Sequence, residues 1–182
     1  MTTGQSMHMH IVAAALALGM CLSGPAALAA DTPDAFITMK TKIALMTTDN
    51  VSAADLNVDT MNGVVTLHGK VATEAEKAKA EQVTAKIDGV KSVKNLLQIV
   101  PNSKREVVDR ADAEVKDAVA SAFKANARLK DSGISVASVN KGVVLLAGKA
   151  NSLESHLEAV HVAYAVKGVR RVSSEVKVDA GT

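Results

Sequence analysis

The chain has 182 residues, of which 48% are apolar and 2% aromatic, the aromatic rings being Phe36, Phe123 and Tyr164. That is enough apolar material for one or two small cores, built from Val, Ile, Leu, Ala and Met. Twenty-one Lys and Arg against nineteen Asp and Glu leave a formal charge of +2, too small to imply the concentrated basic face that a nucleic-acid ligand requires.

Residues 1–30 contain no Lys, Arg, Asp or Glu. Within them Ile11 to Leu22 is a nearly continuous apolar run, shorter than the roughly 20 residues that span a bilayer. Ser23-Gly24-Pro25 breaks the run, and Ala27-Leu28-Ala29 supplies the small side chains a signal peptidase accepts. These features predict a signal peptide over residues 1–29, cleaved after Ala29, and export to the periplasm; a retained membrane anchor is the competing reading. The leader departs from the usual pattern in having only His8 and His10 as sources of positive charge. Cys21 is the sole cysteine, and bulky Met20 before it argues against lipidation. After cleavage no cysteine remains for a disulfide, and no later stretch is apolar enough to be an integral membrane segment.

The remainder is organised by an internal repeat. Gly63-Val64-Val65-Thr66-Leu67-His68-Gly69-Lys70 matches Gly142-Val143-Val144-Leu145-Leu146-Ala147-Gly148-Lys149 at an offset of 79, as Gly89-Val90 matches Gly168-Val169. Upstream, Ile37, Leu45 and Leu56-Asn57-Val58 match Val115, Phe123 and Ile134-Ser135-Val136 at an offset of 78. The change of offset predicts one extra residue in a turn of the second copy.

Each copy opens with an amphipathic helix. Ala35, Met39, Ile43 and Met46 form one apolar stripe, and Val108, Ala111, Val115, Ala118 and Ala122 the other. Thr32 before Pro33 reads as an N-cap, and Ser103 with Glu106 as a capping box. Alternating strands follow at Leu56, Val58, Thr60 and at Ile134, Val136, closed by tight turns at Asn62-Gly63 and Lys141-Gly142. Second helices begin near Thr73 (with Glu76) and Ser152, expose Ala80, Val83, Ile87 and Ala159, Val162, Val166 to the core, and end at Gly89 and Gly168. Last strands run through Val93, Asn95, Leu97, Ile99 and through Val172, Ser174, Val176, Val178. The expected fold is α+β: two tandem α-β-β-α-β modules over residues 32–100 and 106–179, joined by a linker at 101–105. In each module two helices pack on one face of a three-stranded mixed sheet, with a right-handed crossover.

These residues resemble the BON-domain family. The resemblance rests on Leu56-Asn57-Val58, Gly63 to Gly69 and Gly89-Val90-Lys91-Ser92-Val93, and on Ile134-Ser135-Val136, Gly142 to Gly148 and Gly168-Val169-Arg170-Arg171-Val172. It implies a periplasmic, non-enzymatic module that associates with phospholipid surfaces or envelope proteins in osmotic or envelope stress. A holdase-like chaperone for exported proteins is the alternative, and an accessory subunit of an envelope hydrolase a third reading. The marked positions are glycines and core aliphatics, so they specify fold rather than chemistry.

The sequence carries no pattern that assigns a catalytic residue, metal or cofactor. His68, His156 and His161 do not share a face, and neither a Gly-x-Ser-x-Gly elbow nor a phosphate-binding glycine loop is present. Two candidate surfaces remain. Lys86, Lys91 and Lys94, with Lys167, Arg170 and Arg171, flank the glycines that end the second helices and are expected to meet anionic phospholipid. The sheet face without helices carries Val64, Thr66, Leu96, Gln98 and Val100, and Val143, Leu145 and Ala147 beside Glu175 and Lys177. Val64, Leu96, Val143 and Leu145 are its expected interaction residues, packing on each other or on an envelope molecule.

Overall fold

Both copies of the repeat fold into the same succession of elements. The computed structural model describes residues 32–179; the leader and its cleavage position lie outside them. The first copy comprises α1 (Asp34–Met46), β1 (Leu56–Met61), β2 (Val64–Val71), α2 (Glu74–Ala85), β3 (Ser92–Asn95) and β4 (Gln98–Ile99). A 3-10 turn at Asn102–Lys104 leads into α3 (Arg105–Ala125), β5 (Gly133–Asn140), β6 (Val143–Ala150), α4 (Leu153–Ala165) and β7 (Arg171–Val178). The hairpins β1–β2 and β5–β6 are antiparallel; β2 pairs in parallel with β3 and β4, and β6 with β7. This is the α+β architecture that the alternation implied. Among the described residues no helix is long and apolar enough to cross a membrane.

Strand alternation sends Val65, Leu67 and Val71 toward α1 and α2, where they meet Ile37, Leu45 and Ala80. In the second copy Val144, Leu146 and Ala150 meet Val119, Phe123 and Ala163. Each of the large aliphatics among these contributes about 1.5–3 kcal/mol by leaving water. Gly69 (φ +126°) and Gly148 (φ +114°) lie at the open end of each hairpin, where the backbone entering the first strand passes close by. A Cβ there would lie 1.9 Å from the Asp55 carbonyl oxygen or 2.0 Å from that of Gly133, so no other residue fits.

Several local expectations are corrected. On α1 the buried face is Ile37, Thr41 and Leu45, whereas Met39, Ile43 and Met46 point outward and Ala35 is exposed. Apolar residues surround this helix, so periodicity could not select a face. Its rotation is set by Asp34, which bonds the β1–β2 turn, and by Thr38 Oγ1, which donates to Thr60 Oγ1 at 2.8 Å. On α3 the buried face is Asp112, Val119 and Phe123; Val115 packs beside them, while Ala111 and Ala118 are exposed.

The extra residue of the second copy is not in a turn. Val136 pairs with Leu146 and Ser138 with Leu145, so Ala137 forms a β-bulge inside β5. The caps also differ. Pro33 precedes α1 without a side-chain bond, and the 3-10 turn replaces a capping box at α3. Thr73 Oγ1 accepts from Glu76 N, but the Glu76 carboxylate accepts from Ser52 and Ala72 N–H instead of closing a box. At α4 the box is complete between Ser152 and Ser155. The last strand of the first copy is broken at Leu96–Leu97. There Asn95 Oδ1 accepts from Leu97 N at 3.2 Å while its amide donates to the Lys77 carbonyl, a local bond that competes with the ladder.

Candidate functional site

A carboxylate on each module's first helix, at the first residue of α1 and about two turns into α3, holds that module's hairpin turn. Asp34 accepts Asn62 N–H at 2.7 Å and Gly63 N–H at 2.8 Å. Asp112 accepts Lys141 N–H at 2.8 Å and Gly142 N–H at 2.9 Å. The Gly63 and Asn62 donors hold the Asp34 carboxyl below the usual carboxylate range. Each carboxylate borders a surface cavity of about 240–250 Å³, one reaching Gly89 and Lys91 and the other Gly168 and Arg170. Neither Asp was singled out in the sequence, although they match at the offset of 78 and that signal was available.

The basic residues around these turns do not form one patch. Lys86, Lys91, Lys167, Arg170 and Arg171 are exposed, while Lys94 is half-buried opposite Thr66 in the β2–β3 ladder. Lys91 lies beside Gly63 at the start of β2. Arg170 donates to the Lys141 carbonyl, and Lys141 Nζ donates to the Ile99 carbonyl, whose residue pairs with Val71 at the end of β2. The two sets therefore stand about the length of an eight-residue strand apart, roughly 25 Å.

The helix-free side of each sheet is largely covered, and β2 of the first module approaches β5 of the second. Leu96 and Val100 in the first module, and Val143 and Leu145 in the second, are buried without belonging to either helix-side core. Val64 remains 37% exposed. At one side the contact is tight: Lys70 Nζ lies 2.7 Å from Asp109 and 2.8 Å from Asp112, and Arg105 pairs with Asp55. Burial alone would lower the Lys70 pKa, but the two carboxylates outweigh it and raise the value above the ordinary lysine range.

At the other side Ala35, Thr38, Asp59, Thr60 and Met61 face Ala137, Ala147, Glu175 and Lys177 across a cleft of about 450 Å³. The repeat explains the difference. At the offset of 79, Leu96, His68 and Lys70 correspond to Glu175, Ala147 and Lys149, so the cleft is lined by a charge and a methyl whose first-module counterparts are an isobutyl group and an imidazole. Lys149 is accordingly exposed, while its counterpart Lys70 is buried.

His68 lies in the helix-free face and donates through Nε2 to Asp59 Oδ2 at 2.8 Å, which lowers the Asp59 pKa. Its Nδ1 is buried without a hydrogen-bond partner among the described residues. His156 meets Ser174 Oγ at 2.8 Å and His161 is exposed. Among the described residues no three His, Cys, Asp or Glu side chains gather closely enough to hold a metal ion.

The family model described as BON domain matches residues 33–101 and 111–180. Osmotically-inducible protein Y of Escherichia coli (strain K12) is 31% identical over 145 residues, 79% of this chain and 72% of that protein. Two solved structures of CdsD, a structural protein of the Type III secretion system of Chlamydia trachomatis, align with 81% of this chain at 16% identity and a TM-score of 0.32. The aligned region covers 64% of one, under two thirds of its length, and 68% of the other. That likeness is too distant to carry an argument.

Proposed function

This chain belongs to the BON-domain family, and on that premise we propose that it is a periplasmic, non-enzymatic protein that associates with phospholipid surfaces or envelope proteins during osmotic or envelope stress. The uncharged apolar leader supports export. The resemblance to an osmotically inducible protein along most of both chains supports the stress setting. The observation that carries the reading is the exposure of Lys86, Lys91, Lys167, Arg170 and Arg171 at the exits of the second helices. Each such cation contributes about 1 kcal/mol near an anionic headgroup layer. Flotation with vesicles of equal parts phosphatidylethanolamine and phosphatidylglycerol, from low salt to ~0.5 M, tests it. Bound protein should fall as the screening length contracts to a few ångströms, and absence of flotation at low salt would overturn the lipid arm.

A holdase role is the second reading. It is favoured by Leu153, Leu157 and Tyr164, which project from α4 and are at least half exposed. Suppression of aggregation of an unfolded exported protein, without vesicles and without flotation, would select it.

A further inference from the structure

We propose that α1 lies in the plane of an anionic bilayer surface, outer face down, as the apolar contact of the protein; this rests on the phospholipid reading above. Phe36, Met39, Ile43 and Met46 are between 45% and 72% exposed. At 100° per residue they fall within an arc of about 80°, opposite the buried Ile37, Thr41 and Leu45. A helix apolar on both sides is unusual at a protein surface, because the outer side ordinarily carries the charges.

The charges that are present border the outer arc. Lys42 is exposed on one flank. On the other, Lys40 Nζ sits 4.6 Å from the centroid of the Phe36 ring and 3.5 Å from the exposed carboxylate of Asp88. An apolar stripe containing an aromatic ring, flanked by lysines whose stems extend along it, is the pattern of a helix seated at the headgroup boundary. Thirteen residues give a length of about 20 Å, too short to span the hydrocarbon but sufficient to lie along it. Asp34, the acidic residue within the helix, is turned away from the stripe and engaged by the Asn62 and Gly63 N–H groups.

The exposed residues of α4 provide an internal comparison. Leu153, Leu157 and Tyr164 also align, but the charged residues on that helix are Glu154 and Glu158, which an anionic surface repels. The lysine flanks assign the bilayer to α1 and not to α4.

The test uses the chain freed of its leader, which comprises the whole compact unit Asp31–Thr182, and the same vesicles. Met39→Ser with Ile43→Ser removes two outward side chains without touching the core. Bound protein should fall at least tenfold, since each side chain loses a substantial part of its transfer free energy. Melting behaviour should not change. Leu153→Ser with Leu157→Ser should float as the parent does. Because the only cysteine lies in the leader, an environment-sensitive dye on Ile43→Cys should shift to the blue with vesicles, and the same dye on Leu157→Cys should not. If the parent floats and the α1 double variant floats equally, the assignment to α1 is wrong while the phospholipid reading stands. If the parent does not float, both fail. If the α1 variant instead dissolves an oligomer while vesicle binding persists, the stripe is a contact between copies and the assignment is overturned.

Discussion

Replacing Lys70 by Met isolates what joins the two modules. Lys70 is 8% exposed and touches two carboxylates of α3, one of which, Asp112, is itself buried. Breaking a buried ion pair ordinarily costs about 3–5 kcal/mol, because the surviving charge is stranded. Here the penalty is smaller. Asp112 keeps two backbone N–H donors, and Asp109, whose side chain is 56% exposed, is free to rehydrate. The expected loss is therefore about 2 kcal/mol, or roughly 4–8 °C in melting temperature for a unit of this size. Lys149→Met, the repeat counterpart on the open side, should stay within about 0.5 kcal/mol of the parent. Because the carboxylates raise the Lys70 pKa, its contribution is complete below the ordinary value of 10.5 and disappears only as pH rises through the elevated folded value. The gap between parent and Lys70→Met should thus stay constant from neutral pH to about pH 10 and close above it. With no Trp in the chain, melts are best followed by far-UV circular dichroism. Coincident melting of Lys70→Met and Lys149→Met would refute the idea that the closed side carries the junction.

Acid stability supplies a second prediction. Asp34 and Asp59 both have lowered folded pKa values, Asp34 through the Gly63 and Asn62 donors and Asp59 through His68. Their stabilisation is present above the unfolded carboxyl value and is lost as pH falls through the folded one. Stability should decline below about pH 4, and Asp34→Asn should flatten that decline; an unchanged acid limb in Asp34→Asn would exclude the turn bond as its cause. Leu145→Lys tests the covering of the helix-free side. Leu145 is 1% exposed on the helix-free side, so an ammonium there is expected to cost upwards of about 4 kcal/mol; an unaltered melting temperature and oligomeric state would contradict the buried contact.

The duplication, the order of elements, both hairpin turns and most core strand positions were legible in the amino-acid sequence, because each is local or periodic. Val65 and Leu67 against Thr66 and His68 announce a two-residue alternation, and Asn62-Gly63 announces a turn within four residues. The outward face of α1, the bulge at Ala137, the burial of Lys70 rather than Lys149, and the separation of the two basic sets were not legible. Each depends on groups brought together from distant parts of the chain: Asp34 with the turn at residues 62–63, Lys70 with Asp109 and Asp112, Lys141 with Ile99. The sequence by itself determined two matching modules, each with an apolar layer between helices and sheet. Only the tertiary structure decided how those modules close on one side and part on the other, because the repeat places Leu96 where its second copy has Glu175, and the consequence of that difference exists only once the two modules pack together.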